Sequence, residues 1–217
     1  MQFTQIIFDL DGTLSDPEEG IKNSLEYAIK NMKLKVNTEE VFPGFIGPPL
    51  HEGFSKALHL NREDTEIAVR FFREYYGLKG LFENTIYPGI RELLKDLHKK
   101  KIQIHLATSK LEQYAIKVLE YHQILRFFST VAGATYKGKG AAKKKLIRRI
   151  LELHKDSSSE NFLMVGDKKY DVLGAKAEGI KCLGVLYGYG TSEELVSAGA
   201  DYLVNTVGEL RDFLLKL

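Results

Sequence analysis

Short apolar runs and longer helical patterns alternate along most of the 217-residue chain. The short runs are rich in β-branched residues and almost wholly apolar, as strands are when helices cover both faces of a parallel sheet. They predict strands at 5–8, 102–107, 129–132, 162–165, 182–186 and 202–204. The segments between them predict helices at 88–100, 111–122, 141–153, 170–179, 192–198 and 207–215. The alternation is typical of α/β proteins, in which helical crossovers join parallel strands.

One region, residues 16–86, interrupts this alternation, since it has helical spacing and almost no strand-like run. Its middle, 42–53, holds three of the five prolines and three glycines, which indicates a loop. Roughly 70 residues are enough for a small domain. We therefore predict a core domain formed by 1–15 and 87–217, with an inserted helical domain at 16–86.

Composition and charge narrow the classes of partner and location. Hydrophobic residues make up 44% of the chain and charged residues 28%, which is the mixture of an ordinary globular protein. Since 31 Lys and Arg stand against 29 Asp and Glu, neither nucleic acid nor a membrane surface is an expected partner. The single cysteine, Cys182, lies in an apolar run and is expected to be a buried structural thiol. With no disulfide possible and no visible export signal or membrane span, we expect a cytoplasmic protein.

Acidic residues directly follow two of the predicted strands. Asp9 and Asp11 come after the run 5–8, and Asp167 comes after 162–165. Ligands of open α/β sheets bind beyond the carboxyl ends of strands, where neighbouring strands would bring these carboxylates together. Three carboxylates so close tolerate one another only around a cation, and Mg²⁺ prefers such oxygen ligands. Asp171, by contrast, has the simple interpretation of a first-turn acid favoured by the helix dipole.

Hydroxyl and basic side chains lie near two further strand ends. Thr108 and Ser109 follow the run 102–107, and Lys143 opens the helix after the third strand. Taken singly, either hydroxyl is explained as a helix N-cap and Lys143 as part of a solvated basic face. Taken together, a nucleophilic carboxylate, a cation, a hydroxyl and a lysine form a set that can hold and attack a phosphoryl group.

The two acidic segments carry a family resemblance. Asp9-Leu10-Asp11-Gly12-Thr13 resembles the DxDGT motif of the haloacid dehalogenase superfamily, and Gly166-Asp167 with Asp171 resembles its fourth motif. The similarity extends over essentially the whole chain. It implies a Rossmann-like, doubly wound parallel sheet with an inserted helical cap, in the phosphatase branch of the superfamily.

The second and third motifs of this superfamily are single residues. Thr108 matches the second, and Lys143 is the best match to the third, although Lys139 is equally close to its strand end. The segments 45–50 and 186–190 resemble phosphoglycolate phosphatases and related 5′-nucleotidases. The implied substrate is therefore a small phosphorylated metabolite, either phosphoglycolate-like or a nucleoside 5′-monophosphate.

The resemblance also implies a role for each residue. Asp9 would attack phosphorus to form an aspartyl-phosphate, and Asp11 would act as acid and then as base. Mg²⁺ would be held by Asp9, the backbone carbonyl of Asp11 and Asp167, with Asp171 bracing the site. The residues expected to contact the phosphate or the substrate are Leu10, Gly12, Thr108, Ser109 and Lys143 and, in the cap, Phe45, Gly47, Leu50 and His51.

Two other function classes fit parts of the sequence. A phosphoryl-acceptor or binding domain of the receiver type also has acids at strand ends, but it is smaller and has no use for a second carboxylate that protonates a leaving group. Residues 133–140 match the GxxxxGK part of a P-loop, but Gly140 stands where Ser or Thr must hold Mg²⁺, so a kinase or ATPase is a remote alternative. Whether the protein is a monomer or a homodimer stays open.

Overall fold

The computed structural model of the protein describes residues 3–45, 50–135 and 142–216. The chain divides into two compact units, one formed by Met1–Asp16 with Ile86–Leu217 and the other by Pro17–Thr85. Within the described ranges, no helix combines the length and apolarity needed to cross a membrane.

The strands are β1 (Gln5–Phe8), β2 (Ser15–Asp16), β3 (Thr85–Ile86), β4 (Gln103–Leu111), β5 (Thr130–Ala134), β6 (Phe162–Gly166), β7 (Lys181–Val185) and β8 (Tyr202–Val204). The α-helices are α1 (Glu18–Asn31), α2 (Thr38–Val41), α3 (Leu50–Ala57), α4 (Arg62–Tyr75), α5 (Ile90–Lys99), α6 (Glu112–Tyr121), α7 (Lys143–Leu153), α8 (Lys169–Ala177), α9 (Ser192–Ala198) and α10 (Val207–Leu215).

The larger unit is built on a six-stranded sheet of order β5-β4-β1-β6-β7-β8, in which every neighbouring pair is parallel. The chain passes from β1 to β4 and β5 on one side and then returns to β6 on the other. This is the doubly wound arrangement, and the predicted α/β class is confirmed. β1 therefore lies at the switch point, the place where open α/β sheets bind their ligands.

The register of the central strands brings their carboxyl ends side by side. Phe8 pairs with Leu106 of β4 and with Val165 of β6. The residues that follow these three strands therefore meet at one edge of the sheet. All residues of β1 and β6 are buried, which explains why their sequences are almost wholly apolar.

β4 differs from the prediction for this segment. The predicted strand ended at residue 107 and the next helix began at 111, whereas β4 continues to Leu111 and α6 begins at Glu112. The pairing with β5 continues to Leu111 through a register shift after Thr108. Such a bulge re-aims side chains and is common beside active sites. Because Leu111 precedes the first helical residue, neither Thr108 nor Ser109 is the N-cap of α6.

The smaller unit, 17–85, is mainly helical. α4 is capped by Asn61, whose side chain accepts the backbone N–H of Asp64 at 2.9 Å. The core of this unit includes the fully buried ring of Phe54, which packs edge-on against Phe45 and Phe72 at centroid distances of 4.8 and 6.0 Å.

Candidate active site

The loop after β1 positions the first two candidate carboxylates. The backbone N–H of Asp9 donates to the carbonyl of Val165 at 2.9 Å, which continues the pairing with β6 by one residue. The Asp9 carboxylate then accepts the N–H of Leu10 at 2.8 Å. Gly12 turns the chain with φ of 79°, and a Cβ there would lie 2.2 Å from an Asp167 oxygen. Only glycine suits both the left-handed backbone and this close approach.

Lys143 is the cationic centre of the site. Its ammonium nitrogen lies 2.8 Å from Asp9 Oδ1 and 2.7 Å from Asp171 Oδ1, and it donates to the carbonyl of Ala107 at 2.8 Å. Burial opposes the charge, but the adjacent carboxylates of Asp171 and Asp9 outweigh burial and hold the pKa of Lys143 above its ordinary value. The lysine is therefore a permanent cation between two carboxylates.

Three carboxylates converge around this lysine. Asp9, Asp167 and Asp171 each offer an oxygen, and these atoms lie within 4.8 Å of one another. Burial, with the nearby charges of Asp171 and Asp9, raises the pKa of Asp167 to about 8. Burial also raises the pKa of Asp171 to about 6, although Lys143 opposes that rise. Burial and mutual repulsion thus hinder the ionisation of these acids beside a single ammonium group, and oxygen ligands of this kind fit a hard divalent cation that would relieve the repulsion.

Asp171 is both a first-turn acid of α8 and a member of the carboxylate cluster. It is the third residue of α8, and its carboxylate accepts the backbone N–H of Lys168 at 3.0 Å, as a first-turn acid does. The same side chain is fully buried and pairs with Lys143. The helix start thus aims Asp171 into the cluster.

Asp11 has a partner that the sequence did not indicate. The ammonium nitrogen of Lys110 lies 2.8 Å from Asp11 Oδ1, and the Lys110 side chain is only 6% exposed. Burial raises the pKa of Asp11, and the charge of Lys110 opposes that rise. Lys110 lies within the bulge of β4, between Thr108 and Leu111, and 99 positions along the chain from Asp11. Spacing along the chain does not predict this pair. It forms because the fold brings the bulge of β4 next to the loop after β1.

Thr108 is 2% exposed at the end of the regular part of β4, and its hydroxyl accepts the N–H of Lys110 at 3.2 Å. Ser109 is exposed. Thr13, which sequence reasoning left without a role, is fully buried and donates its hydroxyl to Asp167 at 3.2 Å. The structure therefore adds Thr13 and Lys110 to the residues that contact the predicted carboxylates.

Three of the candidate residues of the smaller unit lie within its described part, and two of them contact neighbours in the same unit. Phe45 is buried against Phe54, and Leu50 is the half-buried first residue of α3. His51 lies with its Nε2 atom 3.3 Å from Glu66 Oε2. Gly47, and Lys139 in the larger unit, lie outside the described residues.

Several proteins of known name are similar in sequence to this chain over nearly its whole length. A 5′-nucleotidase from Pseudomonas aeruginosa is 33% identical over 214 residues, covering 99% of this chain and 96% of that protein. The tyrosine-protein kinase PtkA of Mycobacterium tuberculosis is 33% identical over 211 residues, covering 96% of this chain and 72% of that protein. A phosphoglycolate phosphatase from Vibrio cholerae is 30% identical over 218 residues, covering 97% and 96%.

Solved structures give the same fold. That of a predicted phosphatase from Clostridium acetobutylicum matches with a TM-score of 0.91 and 35% identity, covering 100% of both chains. The model of the haloacid dehalogenase-like hydrolase family matches residues 6–185. The chain therefore belongs to the haloacid dehalogenase-like hydrolase family, which confirms the resemblance found in its motifs.

Proposed function

We propose that this protein is a Mg²⁺-dependent phosphomonoester hydrolase that acts through an aspartyl-phosphate. The observation that carries the proposal is that carboxylate oxygens of Asp9, Asp167 and Asp171 lie within 4.8 Å of one another, with the buried ammonium group of Lys143 paired to Asp9 and Asp171. This arrangement combines a nucleophile, a cation site and a fixed positive charge at the ligand-binding edge of the sheet.

Asp9 is the nucleophile in this proposal. One of its carboxylate oxygens forms a bond to phosphorus while the bond between phosphorus and the leaving oxygen breaks. Asp11, two residues later, gives a proton to that leaving oxygen. It then takes a proton from the water that attacks the phosphoryl group, which releases phosphate and restores Asp9.

The cations of the site stabilise the negative charge of the transferring group. Lys143 and the hydroxyl of Thr108 would contact phosphoryl oxygens, and the backbone N–H groups from Leu10 to Gly12 would add further donors. Asp9, Asp167 and the backbone carbonyl of Asp11 would hold Mg²⁺, with Asp171 bracing the site. The bound ion would reduce repulsion between carboxylate and phosphate.

The proposed substrate is a small phosphorylated metabolite, either phosphoglycolate-like or a nucleoside 5′-monophosphate. The relatives named phosphoglycolate phosphatase and 5′-nucleotidase support this class. Discrimination would lie in the helical unit, where Phe45, Gly47, Leu50 and His51 are the proposed substrate contacts. Initial rates on phosphoglycolate, nucleoside monophosphates, sugar phosphates and pyrophosphate would rank the substrates.

The reaction itself is tested with para-nitrophenyl phosphate and Mg²⁺. We expect steady phosphate release by the wild type, loss of at least about 10⁴-fold in kcat for Asp9→Asn, and no change for the surface control Asp212→Asn. One equivalent of para-nitrophenol without phosphate release would instead identify a phosphoryl acceptor, because the phosphoryl group would stay on the protein. Near-normal hydrolysis by Asp9→Asn would exclude the proposed nucleophile.

A second candidate is phosphoryl transfer from a nucleotide to a tyrosine hydroxyl, because one relative is named a tyrosine-protein kinase. Incubation with radiolabelled ATP and a tyrosine-containing peptide tests it. Label on the peptide, absent with the Asp9→Asn variant, would favour the kinase, and label in free phosphate would favour hydrolysis.

A further inference from the structure

The loop after β7, residues 186–190, lies against the candidate active site. The hydroxyl of Tyr187 donates to the backbone carbonyl of Thr13 at 2.8 Å. The backbone N–H of Tyr189 donates to Asp167 Oδ2 at 2.9 Å, and its hydroxyl donates to the carboxylate of Asp16. The two tyrosines thus contact both the loop after β1 and the carboxylate after β6.

The glycines between and after these tyrosines are explained by distance. A Cβ on Gly188 would lie 2.2 Å from the carbonyl oxygen of Gly12 and 2.5 Å from Asp167 Cβ. A Cβ on Gly190 would lie 1.7 Å from the backbone oxygen of Asp167. Both distances are far below van der Waals contact, so the loop reaches Asp167 only because two of its residues lack side chains.

Together these bonds determine the orientation of the Asp167 carboxylate. Oδ1 accepts the hydroxyl of Thr13 at 3.2 Å, and Oδ2 accepts the N–H of Tyr189. Tyr187 acts on Oδ1 indirectly, since it holds the backbone of Thr13. Burial raises the pKa of Tyr187, so its hydroxyl keeps its proton and remains a donor throughout the physiological range.

We propose that Tyr187 and Tyr189 are positioning residues that orient the Asp167 carboxylate toward the cation, Tyr187 through Thr13 and Tyr189 through its own backbone N–H, which the bond to Asp16 fixes in place. The inference rests on the proposed function only in taking Asp167 as a ligand of Mg²⁺. Hydrogen bonds that orient metal ligands typically contribute about 10–100-fold to metal affinity or activity.

The test is calorimetric titration of the full-length protein with MgCl₂ in the absence of substrate. Tyr187→Phe and Tyr189→Phe remove one hydroxyl each and keep the ring. The matched control is Tyr202→Phe, because Tyr202 is the first residue of β8 and its ring packs against the rings of Phe3 and Phe213. Each removed hydroxyl acts on Asp167 through one intermediate group, so we expect each of the first two variants to weaken Mg²⁺ binding by up to about 10-fold, the lower end of the effect of a direct bond, with Tyr202→Phe unchanged.

A structural role alone would lower the unfolding temperature without changing Mg²⁺ affinity in the folded protein, so unchanged affinity in both variants would overturn the proposal. A wild type that binds no Mg²⁺ would overturn it as well. If one variant loses its folded circular dichroism spectrum, the Mg²⁺ affinity of the other variant tests the proposal, since each variant removes a separate hydrogen bond.

The same titrations distinguish this proposal from the proposed hydrolase. Weakened Mg²⁺ binding in a protein that hydrolyses no phosphomonoester would support the positioning role and contradict the function. Unchanged Mg²⁺ binding by both variants of an active, Mg²⁺-dependent phosphatase would contradict the positioning role and support the function.

Discussion

The ammonium nitrogen of Lys143 lies 2.7 Å from Oδ1 of Asp171, and the carboxylate of Asp171 has no solvent exposure. Breaking such a buried ion pair is costly, because the remaining charge stays in a place where water cannot solvate it. The same lysine also pairs with Asp9. One side chain therefore contributes both to stability and to the charge balance of the candidate nucleophile.

We accordingly expect Lys143→Ala to lower the free energy of unfolding by about 3–5 kcal/mol and kcat by about 100-fold or more. Urea unfolding and para-nitrophenyl phosphate hydrolysis measure the two effects. The matched control is Lys139→Ala, which changes the rival lysine. A larger loss of rate in the control would assign the catalytic role to Lys139.

Asp11→Asn tests the proton transfer. The variant keeps the backbone carbonyl proposed as a metal ligand but lacks an acid, so cleavage of an alkyl phosphate should fall by about 10²–10⁴-fold. Para-nitrophenol leaves without a proton, so rapid mixing should still show its release at up to one equivalent before turnover slows. Equal loss of the first step for both leaving groups would argue against Asp11 as the acid.

Removal of the metal tests the carboxylate cluster. EDTA should abolish hydrolysis by the wild type, and added Mg²⁺ should restore it. Asp167→Asn removes a charged ligand, so the Mg²⁺ concentration for half-maximal rate should rise at least about tenfold, whereas Asp212→Asn should leave it unchanged. Full activity in EDTA would exclude the metal from the mechanism.

His105 gives the fold a dependence on pH that is separate from the active site. Its ring is fully buried in β4, where Nε2 lies 2.8 Å from Gln5 Oε1. The ring of His154 lies 4.4 Å away and that of Phe162 lies 6.2 Å away. Burial, with a smaller contribution from His154, lowers the pKa of His105 to about 3.

The unfolded chain therefore binds a proton at His105 that the folded protein excludes between pH 6.5 and about 3. This contribution to stability is complete above pH 6.5 and is lost as the pH falls toward 3, with a slope of at most about 1.4 kcal/mol per pH unit. We expect the free energy of unfolding, measured by urea titration at several pH values in this range, to fall less steeply with decreasing pH in His105→Phe than in the wild type. The exposed control His98→Phe should keep the slope of the wild type, and an unchanged slope in His105→Phe would contradict the assignment.

Much of the fold was predictable from local patterns. The strands 5–8 and 202–204 and the helices 192–198 and 207–215 have the predicted bounds, because apolar runs and helix caps are local signals. The end of β4 was not predictable, since its last residues are held by pairing with β5 through a bulge. A pattern of one strand contains no information about the register of its neighbour.

By itself, the sequence determined the α/β class and the carboxylates that follow β1 and β6, since acids directly after apolar strands are visible in the chain alone. Only the tertiary structure decided which groups face those acids: Lys143 between Asp9 and Asp171, Lys110 on Asp11, and Tyr189 on Asp167. The physical reason is that charges and hydrogen bonds act over a few ångströms, and folding brings together residues 22 to 134 positions apart in these pairs. Spacing along the chain therefore identifies the carboxylates but not the partners that set their charge and orientation.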